Sequence, residues 1–79
     1  MARVSAMVEI TVRAVPGGWV VDASQDAATL FFSGGAKAEA KARELAGLIA
    51  DRGEPAALRI HDRSGGLIGA FRYAPRRAA

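Results

Sequence analysis

A chain of 79 residues with no cysteine and one histidine is a single small domain; it has no disulfide framework and no thiolate or multi-histidine zinc site to stabilise it. Half of its residues are hydrophobic and a quarter are charged, which is the balance of a folded globular domain and not of a disordered chain. The formal charge is +3, yet eight basic and eight acidic side chains lie between Val4 and Pro75, so the body is near neutral and the excess belongs to Arg3, Arg76 and Arg77.

Val8, Ile10, Val12 and Ala14 alternate with Glu9, Thr11 and Arg13, the period of a half-buried strand. The same interruptions exclude a signal-peptide core or a membrane span there, and with the lack of cysteine they predict a cytoplasmic protein. Pro16 presets φ for the second position of a turn and Gly17 accepts the positive φ that a type II turn needs next. Trp19 to Ala23 resume extended structure, so residues 8–24 read as a hairpin. Ser24, Gln25 and Asp26 read as a second turn, and Thr29 to Phe32 as a short third strand. Phe31 and Phe32, being adjacent, point to opposite faces.

Ser33-Gly34-Gly35 closes that strand and opens a helix over about 36–52. Ala38, Ala42, Leu45 and Ile49, with Ala46 beside them, form one apolar stripe. Leu45 and Ile49 are its largest members, so truncating either to alanine is expected to cost about 2–4 kcal/mol, against almost nothing at Lys41. Glu39 stands four residues before Arg43 for a modest ion pair. Gly53 stops the helix and Pro55 prevents its continuation. Leu58 and Ile60 then alternate with Arg59 and His61; Asp62 to Gly66 is a turn cluster, and Leu67 to Tyr73 returns as a strand. The ordered body is expected to run over about 7–75, with both tails frayed.

The order is strand, strand, a short strand, helix, strand, strand. One helix covers one face of a sheet, which predicts an α+β two-layer sandwich: an antiparallel sheet of four or five strands with one face open. Val8, Ile10, Val12, Trp19, Val21, Leu58 and Ile60 share the parity that meets the helix. Thr11, Arg13, Val20, Asp22, Arg59 and His61 take the open face, and in the last strand Arg72 joins them while Leu67, Phe71 and Tyr73 face inward.

The single histidine raises the question of chemistry. His61 and Asp62 are adjacent and so point opposite ways, and adjacency in sequence does not make them a dyad; a triad would have to use Asp22 or Glu9 with Ser24, Ser33 or Ser64 as nucleophile. Ser24, Ser33 and Ser64 sit in no nucleophile elbow. Gly34-Gly35-Ala36-Lys37 places glycines and a lysine at a helix start but lacks the spacing of a phosphate loop. Trp19 shares parity with Val21 and reads as core, not as a base-stacking platform. No catalytic, cofactor-binding or metal-ligating residue is assigned. The candidate binding face is Arg13, Val20, Arg59, His61 and Arg72, with Arg76 and Arg77 as a basic tail.

Gly17-Gly18-Trp19 with Val21, Phe32-Ser33 ahead of Lys37 to Ala46, and Leu58 to Ile68 followed by Tyr73 resemble the small bacterial family called domain of unknown function 2188. The resemblance spans residues 12–74. It implies a small cytosolic bacterial protein, without an enzyme activity, a cofactor or an assigned binding residue.

Two functions follow as expectations. The first is a non-enzymatic protein-interaction or regulatory module, self-associating as a homodimer, whose interface centres on Val20 with Arg13 and Arg59 at its rim. The second is an accessory nucleic-acid binder using Arg13, Arg59, His61 and Arg72, with Arg76 and Arg77 as a flexible arm. No membrane partner is expected.

Overall fold

The computed structural model describes residues 7–24 and 26–76, with 26–28 as backbone alone. Its elements are β1 (Val8–Val15), β2 (Gly18–Ala23), β3 (Asp26–Phe32), α1 (Gly35–Asp51), β4 (Ala56–His61) and β5 (Leu67–Tyr73). They form the expected α+β domain, a five-stranded sheet in the order β3-β2-β1-β4-β5 with the helix on one face. The third strand starts earlier than the apolar run suggests. A register shift between Asp22 and Ala23 lets Ala23 pair with Asp26, which extends the ladder by three residues beyond Thr29.

The sheet is mixed, and this corrects the expectation of an antiparallel one. β1 and β4, at its centre, pair in parallel from Val8↔Ala56 to Val12↔Ile60, while the other three pairings are antiparallel. The cause is the helix. In the β1-β2-β3 meander the third strand runs the same way as the first; α1 carries the chain back, so β4 again starts in that direction. The free side of β1 is where it is hydrogen-bonded. A crossover helix is how parallel strands are ordinarily joined.

The helix lies closest to the sheet along four alanines. Ala38, Ala42, Ala46 and Ala50 are each fully buried, against a sheet layer of Val8, Ile10, Val12, Val21, Ala56, Leu58 and Ile60. Leu45 and Ile49, the largest members of the predicted stripe, are only partly buried and pack against the margins of this cluster. Alanines spaced by four let the helix backbone approach the strands; a leucine in the middle of the contact would hold it away. No helix among the described residues is long and apolar enough to cross a membrane.

Gly17 stands at φ 86°, the left-handed conformation its place after Pro16 requires. The chain's end departs from expectation. Arg76 is not frayed: its backbone N–H donates to the Ala50 carbonyl at 2.7 Å, and its Nη1 donates to Asp51 Oδ1 at 2.8 Å. A helix leaves its last carbonyls without partners of its own, and Arg76 supplies one of them.

Candidate functional site

The open face is built in rows across neighbouring strands. One row runs Thr29, Asp22, Thr11, Arg59, Ala70 from β3 to β5. A second holds Phe31, Val20 and Arg13, and a third holds Glu9, Ala57 and Arg72. Strand parity thus places Arg13, Val20, Arg59 and Arg72 on one face, as their alternation predicted.

Their surroundings differ from the expectation. Val20 is 8% exposed and cannot centre an interface. Phe31 on β3 and Arg13 on β1 flank it, and the Phe31 ring leans across Gly18, where an added Cβ would stand 2.5 Å from Cζ. The exposed apolar group of this region is Phe31 itself, at 59%. Arg13 is engaged within its own chain: its Nε donates to Asp22 Oδ2 at 3.0 Å, and the Thr29 hydroxyl donates to Asp22 Oδ1 at 2.7 Å. This cross-strand bridge ties three strands together on an exposed surface, where it contributes fractions of a kcal/mol and fixes register more than it stabilises. Arg59 and Arg72, on adjacent strands, form no ion pair among the described residues.

His61 lies at the end of β4, its Nδ1 3.3 Å from the Gly65 carbonyl oxygen. With Arg13 and the 62–65 turn it lines an open hollow of about 310 Å³. The neighbouring Asp62 holds that turn. Its Oδ1 accepts from the Ser64 hydroxyl at 2.8 Å, from the Ser64 N–H at 2.9 Å and from the Gly66 N–H at 2.8 Å. These donors, the Ser64 hydroxyl first, stabilise the ionised carboxylate and lower its pKa below the usual 3.8, against a small opposing effect of burial. The contribution to the turn is therefore complete above the unfolded value and is lost as pH falls through the lower folded value. In an acid titration followed by NMR, the Ser64 and Gly66 amide resonances should shift together with a midpoint below 3.8. A midpoint at or above that value would mean that the ionised carboxylate does not hold the turn.

Two of the serines are likewise spent on local structure. Ser64 serves Asp62, and Ser24 Oγ accepts from the Glu9 N–H at 2.9 Å. Among the described residues no group of three or more His, Cys, Asp or Glu side chains could hold a metal ion. Trp19 packs against the core as its parity predicted, with the α1 entry over its indole: a Cβ on Gly35 would lie 3.1 Å from Cε2.

Three contacts escaped the sequence reading because each joins residues far apart in the chain. The Arg63 guanidinium lies 5.5 Å from the Trp19 ring centroid, Arg43 lies 5.0 Å from that of Phe71, and Arg76 meets Asp51. The last removes Arg76 from the flexible arm; Arg77 lies outside the described residues.

Both edges of the sheet expose apolar side chains: on β3 Leu30 and Phe31, and on β5 Leu67, Ile68 and Phe71, which are 55%, 66% and 42% exposed. Phe71, expected to be inward, has the parity of the helix face through its partner Leu58, but α1 is centred over β1, β2 and β4 and covers it only in part, through the Arg43 guanidinium. No family model, curated protein or solved structure matches the chain, so the likeness to domain of unknown function 2188 rests on the residues quoted above.

Proposed function

We propose that this protein is a non-enzymatic interaction module that self-associates, and that its contacts are made at the β5 edge, not around Val20. One observation supports this above the others: three large apolar side chains stand exposed on a single edge strand. A free edge offers a row of backbone donors and acceptors to another strand, and exposed apolar groups beside it add area to bury. A domain of this size also gains from association, because it buries a smaller share of its surface than a larger one does.

Nucleic-acid binding is the second reading, motivated by Arg59 and Arg72. Two phosphate contacts give a salt slope of only about −1.8, far short of the 6–10 contacts of ordinary binders. Glu9 and Asp22 on the same face oppose it further. The protein-interaction reading is therefore preferred.

Sedimentation between 1 and about 100 μM tests it, since a dimer of micromolar Kd, worth about 8 kcal/mol, forms well within that range. Concentration-dependent dimer formation is expected, and Ile68→Lys should shift it to higher concentration. A folded monomer throughout that range would overturn the proposal.

A further inference from the structure

We infer that the occupant of the β5 edge is a second copy of the chain, added antiparallel about a two-fold axis at Ala70, so that two five-stranded sheets join into one of ten strands. This rests on the self-association reading and specifies its geometry. The axis stands normal to the sheet, which keeps both helices on the same side.

Four observations carry it. First, β5 is only lightly blunted as an edge. It contains no proline and no lysine; its one charge is Arg72, and its one irregularity is a bulge at the hairpin end, where Ile68 stands between Leu67, paired with His61, and Gly69, paired with Ile60. Secondly, the strand is complementary to itself in this register. Ala70 meets Ala70 of the other copy, Phe71 meets Gly69, Arg72 meets Ile68 and Tyr73 meets Leu67, so large side chains face smaller or apolar ones and arginine does not face arginine. Moving the axis by one residue, to Gly69 or Phe71, shortens the paired segment from seven residues to five. An axis at Phe71 also sets the two rings directly against each other.

Thirdly, there is room. The helix has little contact with β5, so two helices related by this axis stand well apart and leave a trough floored by Phe71 and Tyr73 from both copies. Among the described residues nothing covers the outer side of β5, and the chain after Tyr73 turns away to cap the helix at Ala50. Fourthly, the pairing closes. A β5-to-β3 contact would leave a free edge at each end and propagate into a filament, whereas β5-to-β5 consumes the same edge in both copies. Seven residues span roughly 24 Å, which makes the contact smaller than a standard interface and the dimer one of moderate affinity.

The absence of cysteine gives a direct test, because Ala70→Cys introduces the only thiol of the chain. Ala70 is exposed, so the substitution does not threaten folding. Residues directly opposite in an antiparallel pair have Cα atoms about 4.5–5.5 Å apart, inside the range a disulfide spans. Under mild oxidation at a concentration where sedimentation shows dimer, Ala70→Cys should form a covalent dimer. It should do so at least roughly tenfold faster than Thr29→Cys on the opposite edge, because its thiols are held at high effective concentration. If the protein is dimeric in sedimentation but Ala70→Cys crosslinks no faster than Thr29→Cys, the β5 geometry is wrong while self-association stands. If the native protein is monomeric throughout, both fail.

Discussion

Truncating Leu58 to alanine is expected to cost about 3–5 kcal/mol, the upper range for a large-to-small change in a core. Leu58 is completely buried and lies on β4 directly opposite Ile10 of β1, which is also completely buried. The two belong to the parallel pair at the centre of the sheet, with further strands on both sides and the alanine stripe of the helix above. The strands and helix around it are held by their own backbone hydrogen bonds, so the cavity has little chance to collapse. A domain of this length has a total stability of roughly 4–12 kcal/mol, so the loss is a large share of the whole. Urea unfolding followed by circular dichroism measures it. A loss below about 1 kcal/mol would mean that the β1–β4 pair is not the centre of the core.

Replacing Ala46 by leucine should cost about 3 kcal/mol, the upper end for overpacking a well-filled interior. Ala46 is fully buried in the helix–sheet contact, and its Cβ is the spacer that sets how near the helix lies. Leucine there must either lift the helix from the strands or force side chains from their rotamers, and both lose contact along the whole stripe. Leu45→Ala should be milder, at about 1–2 kcal/mol, since that side chain is only partly buried. This reverses the ranking expected from side-chain size alone. Paired urea curves for the two variants decide it: a larger loss for Leu45→Ala would place the deep line of the helix at Leu45 and Ile49 after all.

The difference between these two rankings shows where a sequence pattern stops. Alternation at Val8, Ile10 and Val12, the Pro16-Gly17 turn, the apolar stripe beginning at Ala38 and the Gly53 stop are local signals. Each is set by the backbone period or by the φ one residue can adopt, and each element they predicted is present. The same parity rule put Arg13, Arg59 and Arg72 on the open face and separated His61 from Asp62. That was enough to read His61 as a strand end and Asp62 as the start of the turn that follows.

What the tertiary structure alone decided is non-local. Whether β4 runs with β1 or against it depends on where the crossover helix sets it down, and no period within either strand records that. An apolar stripe states which side of α1 is buried, but the distance between helix and sheet selects the alanines over Leu45 and Ile49 as the deepest residues. Val20 is covered because Phe31 and Arg13 flank it from neighbouring strands, and Arg76 is held because Asp51 and Ala50 lie within reach across 25 residues of chain. The exposure of Phe71 has the same origin: one helix spans the middle of a five-stranded sheet, and an inward side chain on the marginal strand β5 is covered only in part, whereas Ile68 shares the alternation of Ala70 and Arg72 and stands on the open face.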